Sequence, residues 1–359
     1  MPFPGVSESE MKWVLRFARV FVIAVATCAA AWLLFPRPIS EFIFRTAISL
    51  QSLPDTAQQD GLHVFLCGTG SPLPDPTRSG PCLGIVAGGR AFVIDPGEGA
   101  ARRLMNMGFP AGAIEAVILS HLHSDHIDGL GNILLQAWIV GGRKVPLPVY
   151  GPAGVENVVS GVNEMFRIDS TFRTAHHGTE IADPAGYGAI PRFIDLVPFK
   201  FTEVIADAEV RITATAVSHA PVHPAMGLRI DHAGRSVSFS GDTVYDPRFV
   251  KLSKDVDLML HDAMQHWMIG AFEEQAQALA PGAVAIKILQ DIVDYHATPE
   301  EAAKAAQEAN AGELVLTHIA PPLPLRLFYP AFLGDAPQVF DGPITVGEDG
   351  MIFSFAPNG

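Results

Sequence analysis

His121-Leu122-His123-Ser124-Asp125-His126 packs three imidazoles and a carboxylate into six residues, directly after the apolar run Ala116–Ser120. Residues two apart in an extended chain project to the same side, so His121 and His123 are placed to grip one metal ion. Asp125 and His126 fall where the chain turns into the following apolar helix, and are placed to face a second. Imidazole mixed with carboxylate suits zinc, with manganese or iron as alternatives.

Outward from this cluster, short apolar runs alternate with helical stretches. LHVFLCG (62–68) reads as a buried strand, and LGIVA and AFVID as a hairpin turning at Gly88-Gly89. A helix is expected up to Gly108, a buried strand over AVILSH, and a helix ending at Gly141-Gly142. The Pro/Gly-rich stretch 150–200 is predicted to be loop-rich, with a helix over Val155–Phe166. Strands return at TEVIA, VRITATAVSH, GLRID, SVSFSGD, DLMLHD and ELVLTH. Thr298-Pro299-Glu300-Glu301 reads as a capping box opening a helix that runs to about Asn310. Two β-rich halves with helices outside make an α/β fold, a four-layer αββα sandwich. His121, His219, Asp242 and His318 all stand at the ends of apolar strands, where one sheet edge can gather them.

HLHSDH resembles the HxHxDH motif of the metallo-β-lactamase superfamily, and the likeness extends over Gly61–Phe355. CGTGSPLPDPTRSGPCLGIV, FVIDPGEGAARRL, SHAPVHPAMGLRI, FSGDT, YHATPEEAAKAA and LVLTHIA are similar to segments of its ribonuclease Z and zinc-dependent arylsulfatase-like branch. The resemblance implies that His121, His123 and His219 hold one divalent metal. Asp125, His126 and His318 would hold a second, with Asp242 touching both and Asp95 buttressing the metal loop. Two such cations bring the pKa of a bridging water to about 7, supplying hydroxide for hydrolysis. Asp125 would also orient the nucleophile, and His296 would protonate the leaving group. Of the other histidines, His223 is read as lining the pocket and His261 as supporting the site. His176-His177 are read as a surface loop, and His63, His232 and His266 as structural.

The chain has 359 residues, 48% of them hydrophobic, which excludes intrinsic disorder. Its formal charge is −14, and residues 150–200 carry only Arg167, Arg173, Arg192 and Lys200 as basic groups. A body this acidic repels polyanions unless it carries a focused basic patch. Nucleic acid is therefore a disfavoured partner here. The leading expectation is a small anionic ester as substrate, either a sulfate ester or a phosphodiester. A ribonuclease Z-like 3′ tRNA-processing endonuclease and a lactonase or β-lactamase-like hydrolase are the alternatives, with a non-catalytic metal-binding protein as the bland reading. A homodimer is allowed by the sequence without being specified.

Of three cysteines, Cys67 and Cys82 flank one loop and could pair in an oxidising compartment, but two buried thiols are the expectation. Val20–Pro36 is free of charge and almost wholly apolar, preceded by Lys12, Arg16 and Arg19. That pattern fits a transmembrane helix with its N-terminal end in the cytoplasm and the catalytic body exported. An uncleaved anchor is favoured over a signal peptide cut near Ala26–Ala30, because apolar character continues through Phe35. The expected organisation is an anchor and connector over 1–60, with an amphipathic helix over Ile39–Leu50, and a hydrolase domain over 61–359.

Overall fold

Every residue of strand β1 (Leu62–Gly68) is buried, and its alternate side chains enter two different layers. Leu62, Val64 and Leu66 fill the core between two sheets, while Phe65 and Cys67 pack outward under helices. A strand covered on both faces has no solvent side, which is why LHVFLCG lacks polar alternation. The structure is a computed structural model and describes residues 8–50, 60–197, 199–282 and 284–358.

The chain forms two units. The N-terminal one contains helices α1 (Glu8–Leu34) and α2 (Pro36–Leu50). Within α1, the 24 residues Met11–Leu34 are long and apolar enough to cross a membrane. The amphipathic helix expected over Ile39–Leu50 starts earlier, at Pro36, a residue suited to a first helical position.

The second unit follows β1 with β2 (Cys82–Ala87), β3 (Arg90–Ile94), α3 (Ala100–Asn106), β4 (Ile114–Ile118), α4 (Ser124–Ile127) and α5 (Leu130–Gly141). Next come β5 (Leu147–Gly151), α6 (Val155–Met165), α7 (Arg167–His177) and β6 (Ala189–Phe193). The second half holds β7 (Thr202–Ala206), β8 (Val210–His219), β9 (Val222–His232), β10 (Arg235–Phe239), α8 (Pro247–Leu252) and β11 (Leu258–Met264). It ends with α9 (His266–Leu279), α10 (Val284–Asp291), α11 (Pro299–Ala309), β12 (Leu314–Ala320), β13 (Ile344–Val346) and β14 (Ile352–Phe355).

One seven-stranded sheet has the order β14-β1-β2-β3-β4-β5-β6, and the other β13-β12-β11-β10-β9-β8-β7. Ile85, Phe92 and Ile118 of the first meet Ile212, Leu228 and Leu260 of the second in the central core. Leu104 of α3, Ile133 of α5 and Val159 of α6 cover the first sheet's outer face. Phe249 of α8 and Ala302 and Ala306 of α11 cover the second. This is the expected αββα sandwich.

The β2–β3 and β9–β10 hairpins each turn on two consecutive residues with positive φ, Gly88-Gly89 and Ala233-Gly234. That geometry matches the twist of the flanking strands. In α11 the capping box is complete: Thr298 Oγ1 accepts from Glu301 N, and the Glu301 carboxylate accepts from Thr298 N. Thr298→Ala is expected to cost about 1 kcal/mol, read as a lower midpoint in denaturant unfolding. An unchanged midpoint would mean the cap is redundant.

Three expectations need correction. The stretch 150–200 is richer in helix than expected, and His176-His177 end α7 rather than sit in a loop. Helices α9 and α10 also occupy a region for which no element is expected. Cys67 and Cys82 are a disulfide rather than two thiols. A bulge between Leu66 and Gly68 in the β1–β2 pairing brings their Cα atoms to 5.0 Å, within bonding range. Replacing both cysteines by Ala reopens a loop of sequence separation 15. The expected loss is about 3 kcal/mol of stability; equal melting curves with and without reductant would contradict it.

Candidate metal centre

The site is assembled from strand ends. Asp95, just past β3, has φ 48°, a left-handed conformation that Asp tolerates better than most residues. Its fully buried carboxylate accepts from Ser120 N (2.6 Å), Ser120 Oγ (2.5 Å) and His126 Nδ1 (2.9 Å). Ser120 Oγ in turn accepts from His121 Nδ1 at 3.1 Å. One carboxylate thus fixes two imidazoles through their Nδ1 atoms, leaving Nε2 of each to point away from it.

On the opposite sheet, β10 leads through Ser240 and Gly241 to Asp242. Gly241 has φ 60°, and a Cβ there would lie 2.7 Å from the Met226 carbonyl oxygen, so no other residue fits the turn without displacement. His318 also has positive φ, at 49°. It is the extra residue of a bulge: Asp262 pairs with Thr317 and Ala263 with Ile319, so His318 leaves the sheet's alternation. Bulges redirect side chains in this way beside functional sites. His219 ends β8 at a second irregularity, and its Nδ1 donates to the Tyr295 carbonyl at 3.0 Å.

These devices converge on one oxygen. Asp242 Oδ2 lies 3.2 Å from both His126 Nε2 and His318 Nε2, 3.8 Å from His121 Nε2 and 3.9 Å from His219 Nε2. Asp125 Oδ2 is 3.5 Å from His126 Nε2 and 3.4 Å from His318 Nε2. His123 Nδ1 is 3.4 Å from His219 Nε2. Among the groups of metal-ligand composition that form, two match the expected pair of sites, His121–His123–His219–Asp242 and Asp125–His126–His318.

The donor set fits cations. His121 Nε2, His126 Nε2, Asp242 Oδ1 and His318 Nδ1 are buried without a hydrogen-bond partner among the described residues. Orphaned buried polar atoms are costly, and two of these, His121 Nε2 and His126 Nε2, face Asp242 Oδ2. Burial, with repulsion from His126, holds the His121 imidazole well below its usual range. Burial opposes charge on His126 too, yet Asp242 and Asp95 outweigh it and hold that imidazole well above its range. Burial likewise opposes charge on Asp242, but His318 and His126 keep its carboxyl well below the carboxylate range. The centre attracts positive charge and offers free lone pairs to receive it, the chemistry of a divalent-metal site.

Beside this ring lies His296, its ring 5.0 Å from that of His318 and 5.2 Å from that of His219. Its Nδ1 donates to Asp262 Oδ2 at 2.9 Å. Asp262 is fully buried and also meets His261 Nδ1 at 3.0 Å through Oδ1. Asp262 is the site residue that the sequence reading missed; its one signal was its position at the polar end of DLMLHD. His261, expected to support the site, touches it through Asp262. His223, expected in the pocket, is exposed and belongs to no metal-binding group among the described residues. His63 bonds Ser354 and His232 the Glu209 carbonyl, away from the centre.

The sandwich and this ring of donors define a metal-dependent hydrolase. The profile described as "Beta-lactamase superfamily domain" matches residues 90–319. A protein named Ribonuclease Z from Mycobacterium avium is 34% identical over 290 residues, covering 80% of this chain and 96% of that one. Its namesake from Mycolicibacterium paratuberculosis is 35% identical with the same coverage. Human tRNase Z, short form, superposes with a TM-score of 0.58 at 24% identity, covering 81% of this chain and 98% of its own. The chain belongs to the metallo-β-lactamase superfamily, in its ribonuclease Z branch.

These relatives overturn the expectation that nucleic acid is a disfavoured partner, since proteins to which this chain is similar over most of its length are named for acting on RNA. They favour a nuclease over an arylsulfatase. Net charge misled because it averages over a whole surface, whereas binding follows the local field, to which two divalent cations would contribute strongly.

Proposed function

We propose that this chain is a metal-dependent ribonuclease that hydrolyses an RNA phosphodiester, as in ribonuclease Z-like 3′ processing of precursor transfer RNA. The observation that carries it is the gathering of seven donors, with four imidazoles within 3.9 Å of Asp242 Oδ2 and the Asp262-held His296 alongside. His121, His123 and His219 would hold one cation, Asp125, His126 and His318 the other, and Asp242 both, with zinc favoured by the donors. When bound, the pair supplies hydroxide at neutral pH and neutralises charge growing on the phosphoryl oxygens.

The protein's own groups do the rest. Asp125, whose side chain keeps 14% exposure, faces solvent enough to orient the attacking water through its second oxygen. Asp262 takes the His296 Nδ1 proton into a fixed hydrogen bond, so Nε2 is the atom left to serve the leaving oxygen. As the P–O bond breaks, that oxygen receives the Nε2 proton and departs as a neutral hydroxyl.

A panel of precursor transfer RNA, single-stranded RNA, nitrophenyl phosphodiester, nitrophenyl sulfate and a β-lactam tests the assignment. RNA cleavage that stops on chelation and returns with zinc is the expected result. Hydrolysis of the sulfate or lactam with RNA untouched would sink it.

The placement of the body is a separate proposal. Helix α1, with Lys12, Arg16 and Arg19 at its start, is assigned as a membrane anchor with the catalytic unit on the outer side. The Cys67–Cys82 disulfide supports an oxidising compartment. An outward body meets only RNA lying outside the cytoplasm; an inward one has precursor transfer RNA within reach. Protease shaving of intact cells decides, and a protected body would reverse the orientation.

A further inference from the structure

The chain has only seven lysines and a formal charge of −14, yet two of those lysines, with Arg248, line one groove. The groove encloses about 810 Å³ on the second sheet's outer side, walled by Phe199, Phe201, Ser218, Tyr245, Lys251 and Lys254. Lys200 stands between the two phenylalanines in sequence, and Lys304 Nζ lies 4.1 Å over the Tyr245 ring. Phe199 is 87% exposed and Phe201 48%. Large aromatic faces left open to water beside cations mark a surface that something else covers.

The acidic groups nearby are largely engaged. Asp246 is buried and bound by Arg248, whose Nη2 also donates to Ser218 Oγ at 2.9 Å. Glu308 accepts from the Tyr245 hydroxyl, and Asp255 accepts from Asn310 Nδ2 at 2.8 Å. The groove is also tied to the metal centre through the backbone. Ser218 immediately precedes His219, and its carbonyl accepts from Val244 N (3.2 Å) and Thr243 Oγ1 (3.1 Å), in the segment that follows Asp242.

We propose that this groove binds a single-stranded RNA segment flanking the scissile bond, with bases stacked on Phe199 and Phe201 and phosphates facing Lys251 and Lys254. The inference rests on the nuclease reading above. Flat rings accept any base, because every base has a π face, and lysines neutralise the backbone between them. An acidic peptide would satisfy the lysines but would give the exposed rings no planar partner.

The test is steady-state cleavage of an RNA with a single-stranded flank by the metal-loaded full chain, over a range of KCl concentrations. Phe199→Ala with Phe201→Ala is expected to raise KM about tenfold or more with little change in kcat. Lys251→Gln with Lys254→Gln should flatten the slope of log(kcat/KM) against log[salt] by about 1.4, whereas the Lys→Arg pair should retain it. Circular-dichroism melting confirms that each variant is folded. RNA cleavage by the wild type with KM and slope unmoved in folded variants overturns the groove and leaves the nuclease reading intact. Hydrolysis of bis(p-nitrophenyl) phosphate without any cleavage of RNA overturns both. Inhibition by polyglutamate as strong as by a single-stranded oligonucleotide would also overturn the groove, since charge alone would then suffice.

Discussion

Asp242→Ala is expected to cut bound metal from about two equivalents to one or none and to lower RNA cleavage by about 10³-fold or more. Asp242 reaches both donor groups: its Oδ2 is within 3.9 Å of Nε2 on His121, His126, His219 and His318. Removing it would take from both sites the one carboxylate they would share, and two bound cations would then repel each other with less negative charge to offset it. Asp242→Asn keeps the shape and one oxygen but loses the charge, so it should fall between Ala and wild type. Stability supplies an independent readout. Cations that bind only the folded chain stabilise it by about 4 kcal/mol at a thousand times Kd. A chelator should therefore lower the wild-type melting temperature strongly and that of Asp242→Ala much less. Full metal content in the Ala variant would show that Asp242 is not shared.

Much of this site was legible because its cues are local. The spacing within His121–His126, the capping box at Thr298 and the two-residue hairpin turns each involve residues a few positions apart, where chain geometry alone constrains the outcome. The sandwich followed from continuous apolar strands, whose two buried faces need a layer on each side. What escaped depends on register and distance. Cys67 and Cys82 meet because a bulge shifts the β1–β2 pairing, and their spacing carries no sign of it. Asp262 acquires its role from His296, 34 residues further on, which the turn before α11 brings back to the end of β11. A carboxylate ending a strand has no local mark distinguishing it from a solvated one.

Charge was misread for a related reason. Residues 150–200 hold few basic groups, and the chain beyond its N-terminus has no extended run of Lys or Arg. Lys251 and Lys254 stand fifty positions or more on from Phe199 and Phe201 and share a groove with them only in the folded chain, with Lys304 over the Tyr245 ring of the same groove. Field strength at a surface depends on such proximity rather than on the sum over the chain.

His296→Ala is expected to retain both metals and lose about 10²- to 10⁴-fold in kcat on RNA. The argument turns on the leaving group. A sugar oxygen departs poorly as an alkoxide and needs a proton in the transition state, whereas nitrophenolate is stable without one. The loss should therefore be large on RNA and small on a nitrophenyl phosphodiester. Asp262→Asn tests the support behind it. Asp262 accepts from His296 at Oδ2 and meets His261 at Oδ1, and an amide can accept at only one of those two positions. His261 Nδ1 keeps the Asp262 backbone carbonyl at 2.9 Å, so the side-chain amide is expected to disturb His296 where its NH₂ faces Nδ1. Loss of such an orienting partner typically costs about 10- to 100-fold, with the same dependence on leaving group. Equal losses on both substrates would remove His296 from proton transfer. Loss of metal would instead make it a ligand, as its place within reach of Asp242 and His318 would then explain.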